Sequence, residues 1–168
     1  MAHFLVDQLH FTRSEFARSF AGVSEEDACR RLMPMNSISW VVAHLANQEH
    51  YLWVTCAQGK IILPELVWQC GYGYPPSTPP LRVAVEAWKA VMAKADSYLD
   101  TLTPTKLETF LSEDGTLFDE NVGTTLMRNI YHYWSHLGEI ISIRQIMGHA
   151  HVPEYVGDMR PVMYRAET

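Results

Sequence analysis

Cysteine is scarce in this sequence, and its three copies are far apart. Cys29, Cys56 and Cys70 form no CxxC pair, and their number is odd. A framework of structural disulfides is therefore not expected, and such sparse cysteines are typical of proteins in a reducing compartment. We accordingly predict a cytoplasmic protein.

Long apolar runs and clusters of basic residues are also missing. No segment approaches the about 20 apolar residues that a membrane-spanning helix needs. The N-terminal stretch MAHFLVDQLHF has no basic start and is not predicted to be a signal peptide. The formal net charge is −6, and Arg30-Arg31 is a lone basic pair. Because nucleic acid is bound mainly through its phosphates, neither nucleic acid nor a membrane is expected as a partner.

The composition that remains is that of one globular domain. The chain has 168 residues, of which 48% are hydrophobic and 19% charged. That length can bury a sizeable core without disulfides. No internal repeat or low-complexity segment interrupts it, so residues 1–168 are predicted to form a single domain.

Four segments have the apolar spacing of long helices. They cover about residues 3–21, 37–58, 80–102 and 124–147. Stop signals follow three of them, at Gly22, Gly59 and Gly148. Four long helices with little strand predict an all-α fold, and specifically a four-helix bundle.

Shorter signals modify this simple plan. Ser24 begins a capping-box-like start for a short helix. Residues 59–80 hold five of the nine prolines and form a long connection between helices 2 and 3, which argues against the simplest up-down-up-down order. The connection is expected to be ordered, because Trp68, Tyr72 and Tyr74 should pack against something. Asp114-Gly115, between β-prone flanks, predicts a small hairpin before helix 4.

Two histidines on the fourth helix raise the question of a metal site. His132 and His136 are four residues apart, so they share a helix face and can bind one ion together. The spacing alone is weak evidence, because core or surface histidines often produce it. Tyr133 stands where the metalloprotease motif HExxH has its glutamate, so that mechanism is excluded.

A third histidine strengthens the case. His44 lies on the second helix between Val41 and Leu45, where a core residue belongs. Buried imidazoles need partners, and three of them on two long helices of a small bundle are best explained by convergence on an ion. The remaining histidines are assigned to helix flanks, a helix end or the tail: His3, His10, His50, His149 and His151.

Two segments together resemble a known family. SISWVVAHLANQEHYLW followed by IYHYWSHLGEIISIRQIMGH is similar to the DinB-like (YfiT-like) superfamily of bacterial metal-binding helical bundles. The resemblance implies that His44, His132 and His136 hold one divalent metal ion. It also implies a bundle with a non-simple connection order, often a homodimer. Relatives include mycothiol-dependent isomerases and bacillithiol S-transferases.

Three neutral imidazoles leave a coordination position open, which is typical of catalytic rather than structural zinc sites, and nickel is equally compatible. We therefore predict a metal-dependent thiol S-transferase or hydrolase acting on a small molecule, with a low-molecular-weight thiol as the implied partner. The alternative is a non-enzymatic metal-binding bundle with a stress-related or interaction role. No catalytic residue is identified: Glu139 and Glu49 could support an imidazole, but are interpreted as an ordinary helix residue and a solvated one.

Overall fold

The computed structural model describes residues 3–63 and 65–164 of the chain. It is mostly helical with one small two-stranded sheet, as predicted. The helices are α1 (Phe4–Phe20), α2 (Glu25–Cys29), α3 (Ile38–Glu49), α4 (Glu65–Trp68), α5 (Leu81–Leu99), α6 (Pro104–Leu107) and α7 (Val122–Ile146). The strands are β1 (Phe110–Glu113) and β2 (Thr116–Asn121).

Helix α3 does not stop where its regular α-helical part ends. Ser37 caps its start by accepting a hydrogen bond from the Trp40 backbone N–H. After Glu49 the chain continues as a π-helical turn over His50–Cys56 and remains helical to Gln58. The predicted helix end before Gly59 is confirmed, but the π-helical turn was not predicted. Such turns recur at functional sites because they locally change which side chains share a face.

The predicted hairpin is confirmed and leads directly into α7. β1 pairs with β2 in antiparallel orientation, and the turn residues Asp114 and Gly115 have φ values of 48° and 82°. Positive φ at both positions is the reason for an Asp-Gly turn. Asn121 caps α7 by accepting from the Thr124 N–H, so α7 begins at Val122, slightly before the predicted start.

The long helices pack in pairs, α3 against α5 and α1 against α7, and α3 also contacts α7. Aromatic rings fill the interior between them. Phe16 of α1 meets Trp88 and Tyr133 edge-on at centroid distances of 5.4 and 5.1 Å, and Trp88 Nε1 donates to the Tyr133 hydroxyl at 2.6 Å. The contact of α3 with α7 brings the histidines of these two helices together.

The connection after α3 is only partly packed. Val67 and Cys70 are buried, and Asn47 of α3 donates to the Trp68 carbonyl at 2.9 Å. The expectation that all three aromatic residues of this segment pack is wrong for Tyr74, which is 47% exposed, and most clearly for Tyr72, whose surface is 99% exposed. Polar anchoring of the backbone, rather than burial of that ring, ties the segment to α3.

The described part of the C-terminal tail is mostly coil, as expected, with one short 3-10 turn at Arg160–Val162. Buried Arg144 ties it down by donating to the Ser19 carbonyl of α1 at 2.6 Å and to the His151 carbonyl at 2.7 Å. Among the described residues, no two cysteines are joined by a disulfide bond. Within residues 3–63 and 65–164, no helix combines the length and apolar character needed to cross a bilayer.

Candidate metal centre

The structure brings together the three histidines singled out from the sequence. His44 comes from α3, and His132 and His136 come from successive turns of α7. Their candidate ligand nitrogens all lie within 4.8 Å of one another. His132 Nε2 is 3.3 Å from His44 Nε2 and 2.9 Å from His136 Nε2. We call these residues the three-histidine cluster.

Each ring of the cluster has a hydrogen-bond partner at Nδ1, the nitrogen that faces away from the other two rings. His44 Nδ1 lies 2.8 Å from the Cys70 carbonyl oxygen, and His136 Nδ1 lies 2.7 Å from Glu139 Oε2. His132 Nδ1 contacts Gln48 Oε1. A ring that donates from Nδ1 leaves the Nε2 lone pair bare when it is neutral. If all three rings carry their proton on Nδ1, three bare Nε2 lone pairs point towards one another.

The surroundings of the cluster favour the neutral forms of His132 and His44. Burial, together with smaller effects of nearby His136 and His44, lowers the pKa of His132 to about 3. The pKa of His44 is also lowered, mainly by burial and then by His136. The indole of Trp40 stacks on the His44 ring at 4.6 Å with an interplanar angle of 9° and shields one face of it. Near neutral pH, His44 and His132 are thus available as ligands without first losing a proton.

The arrangement fits a divalent cation. With the protons on Nδ1, the Nε2 lone pairs converge at 2.9 to 3.3 Å and repel one another, and a cation bound between them would remove this repulsion. Neutral imidazoles with hydrogen-bonded Nδ1 atoms are the usual ligands of zinc, nickel and copper. Among the described residues, the group that could hold an ion consists of these histidines alone, with no thiolate or carboxylate. Three ligands leave room for an exchangeable one.

Two carboxylates do not lie where the sequence interpretation put them. Glu139 is a hydrogen-bond partner of His136 rather than an ordinary helix residue. Glu49 is not solvated: it is fully buried, and Arg13 donates to it from Nε at 2.7 Å. The Glu139 contact could have been suspected from its spacing three residues after His136. The Glu49 contact could not, because Arg13 lies on another helix.

The other histidines that the structure describes lie outside the cluster, as expected. His10 pairs with Asp96 at 3.2 Å, and His50 is buried and accepts from the Ile62 N–H at 3.0 Å. Sequence reasoning missed Gln48 and Asn129, which form a hydrogen-bonded pair at 3.1 Å behind His132.

A pocket of about 510 Å³ opens beside His132. Its wall combines the aromatic ring of Tyr131, the apolar side chain of Met127 and the guanidinium of Arg128, which is ion-paired with Glu120 at 2.8 Å. Its lining residues are Gln48, Thr124, Met127, Arg128, Tyr131 and His132. A small molecule seated here would lie against the cluster.

The fold and the site together define a helical protein with a cluster of three imidazoles suited to a metal ion. The chain belongs to the DinB superfamily, whose family model matches residues 8–140. The matched segment contains all three histidines and the residues that hold their rings. No curated protein matches the chain.

Proposed function

We propose that His44, His132 and His136 bind one divalent metal ion, zinc or nickel, and that the chain is a metal-dependent enzyme. The observation that carries this proposal is the convergence of three Nε2 atoms, each on a ring whose Nδ1 has an acceptor. Membership of the DinB superfamily supports it. We further propose that α1, α3, α5 and α7 are the four helices of that superfamily's bundle.

The reaction class that fits best is thiol S-transfer, with hydrolysis as the second choice. A divalent ion held by neutral ligands lowers the pKa of a bound water or thiol and polarises a carbonyl. The chain's own residues supply the rest. Cys70, Gln48 and Glu139 fix the three rings, and the pocket beside His132 offers Tyr131 and Met127 to an apolar substrate body.

In the transfer reaction, the thiol loses its proton to solvent, its sulfur forms a new bond to an electrophilic carbon, and the leaving group departs with the bonding electrons. The free thiol is weakly ionised at neutral pH because its pKa is about 8.5. Catalysis near pH 7 therefore requires a site that favours the thiolate, which a cluster of neutral ligands around a cation would provide.

Turnover with and without metal tests this function. Protein stripped by a chelator and then reloaded with zinc or nickel should accelerate the reaction in which glutathione, cysteine, bacillithiol or mycothiol replaces the halide of an activated aryl halide and releases halide ion. His136→Ala, checked for folding by circular dichroism, should abolish the acceleration. If the protein accelerates neither the reaction of any of these thiols nor the hydrolysis of an activated ester, the enzyme proposal is refuted. The protein is then the non-enzymatic metal-binding bundle.

We also propose that the protein acts as a homodimer, which the family resemblance supports. Light scattering of the purified protein at several concentrations would show a mass of twice 19.2 kDa if this is correct. A constant monomer mass would refute it without affecting the metal site, because all the proposed ligands come from one chain.

A further inference from the structure

The three imidazoles differ in how firmly their tautomers are fixed. His44 Nδ1 faces a backbone carbonyl, and His136 Nδ1 faces the carboxylate of Glu139. Both partners only accept hydrogen bonds when the carboxylate is ionised, so both rings must place their proton on Nδ1. The partner of His132 is the side-chain amide of Gln48, which can either donate or accept. Gln48 alone therefore leaves the tautomer of His132 undecided.

A chain of hydrogen bonds behind Gln48 removes this ambiguity. Trp53 Nε1 donates to Asn129 Oδ1 at 2.9 Å. An indole N–H is only ever a donor, so the oxygen of the Asn129 amide must face it. The Asn129 nitrogen then points the other way and donates to Gln48 Oε1 at 3.1 Å. The same Gln48 oxygen faces His132 Nδ1, which must therefore carry the proton.

The buried setting makes this orientation difficult to reverse. Trp53 and Asn129 are fully buried, so water does not replace either partner. Turning the Gln48 amide over would place its N–H groups against those of Asn129, and turning both amides would place the Asn129 N–H groups against the indole N–H. Either change leaves buried donors facing one another, which folded proteins avoid.

We propose that Trp53 and Asn129 are positioning residues that set the tautomer of His132 through Gln48. They keep its proton on Nδ1 and its Nε2 lone pair directed at His44 and His136. This inference rests on the proposed function, since a bare Nε2 matters because it can bind a metal ion. The residues come from three places, α3, the π-helical turn after it, and α7, so the tautomer depends on the packing of α3 against α7.

Asn129→Asp provides the sharpest test, because it keeps the shape of the side chain and reverses one hydrogen bond. One carboxylate oxygen still accepts from Trp53, but the other now requires a donor, so Gln48 turns its NH₂ group towards it and towards His132. His132 must then accept at Nδ1 and carry its proton on Nε2. The affinity for zinc should fall about 10–100-fold, although the added negative charge alone would attract the ion.

Long-range ¹H–¹⁵N correlation spectra of the metal-free protein at pH 8 report the tautomer directly, and chelator competition reports the affinity for zinc. In the wild type and in Gln48→Glu, whose carboxylate only accepts, the His132 proton should be on Nδ1. Asn129→Ala removes the amide that orients Gln48 without adding a group that favours the opposite orientation. Both tautomers of His132 should then be populated, and zinc affinity should fall less than in Asn129→Asp.

The outcomes separate this inference from the metal site itself. A His132 proton on Nε2 in the wild type, or on Nδ1 alone in both Asn129 variants, would overturn the inference. An Asn129→Asp protein that does not fold leaves the decision to Asn129→Ala by the same spectrum. Wild-type protein with the proton on Nδ1 that binds neither zinc nor nickel would support the inference and refute the proposed function.

Discussion

Two polar clusters lie in the interior of this protein, and they are built on opposite principles. The three-histidine cluster consists of imidazoles whose Nε2 atoms face one another. The second cluster, which we call the Arg13 cluster, consists of Arg13, Glu49, Asp96 and His10 and brings its own positive charge. Arg13 donates to Glu49 at 2.7 Å and to Asp96 at 2.6 Å, and His10 lies 3.2 Å from Asp96.

The two clusters share helices, so their difference is not one of location alone. Glu49 of the Arg13 cluster lies five residues after His44 on α3. The buried ion pair between Arg13 and Glu49 matches its own charges, so it needs no ligand and serves the packing of the helices. The three-histidine cluster contains no cationic side chain to match its Nε2 atoms, and we propose that it is a ligand site rather than a structural one.

Breaking the Arg13 cluster should have the largest effect on stability. Arg13→Met leaves the fully buried carboxylate of Glu49 without its cation, which should cost about 3–5 kcal/mol in the free energy of unfolding. Urea denaturation of the metal-free protein would measure it. The double variant Arg13→Met/Glu49→Met should recover most of the loss, because it removes both charges.

The matched change in the other cluster should be much milder. His132→Ala removes a half-buried neutral ring, and metal-free protein should lose only about 1 kcal/mol. If His132→Ala destabilises the metal-free protein as much as Arg13→Met does, the histidines are structural and the contrast between the clusters is wrong.

Weakening a partner of the three-histidine cluster should produce an intermediate effect. Glu139→Gln keeps an acceptor for His136 Nδ1 but removes its charge, which weakens the hydrogen bond that orients the His136 ring. Zinc affinity should fall about tenfold, equivalent to about 1.4 kcal/mol. Glu86→Gln on the exposed side of α5 is the control. Equal affinities of the two variants would show that the Glu139 contact does not support the site.

The smallest predicted effect is a pH dependence at the edge of the Arg13 cluster. The hydrogen bond to Asp96 raises the pKa of His10 above its usual 6.5, against the opposing effect of burial. A raised pKa in the folded state stabilises the protein below pH 6.5, and this contribution is lost as pH rises through the folded value.

Because the His10 and Asp96 side chains are 40% and 35% exposed, solvent screening should keep this contribution below about 1 kcal/mol. The stability difference between wild type and His10→Gln, measured by urea at pH 5.5 and pH 8.5, isolates it. The difference should be larger at pH 5.5, and a larger difference at pH 8.5 would contradict the assigned direction.

The sequence predicted the parts of this protein that depend on local patterns. Helical spacing, the glycine stops and the Asp-Gly turn are read within a few residues, and the structure has them. The convergence of His44 with His132 and His136 could also be predicted, because both segments have the apolar surroundings of buried helix faces and together resemble a family.

The remainder depends on contacts between distant residues. Glu49 looked solvated because nothing near it in sequence reveals that Arg13 of α1 reaches it. The anchoring of Gln48 by Asn129 has the same origin, since the two residues belong to different helices. The π-helical turn over His50–Cys56 has no local signal in the sequence.

The central claim is that the three-histidine cluster is completed by one metal ion. Elemental analysis of purified wild type, His132→Ala and His10→Ala, each reloaded with zinc and dialysed, tests it most directly. His10→Ala also lacks one histidine, but that residue lies in the Arg13 cluster. We predict one ion per chain in the wild type and in His10→Ala, and a large loss in His132→Ala. Undiminished zinc in folded His132→Ala would contradict the claim.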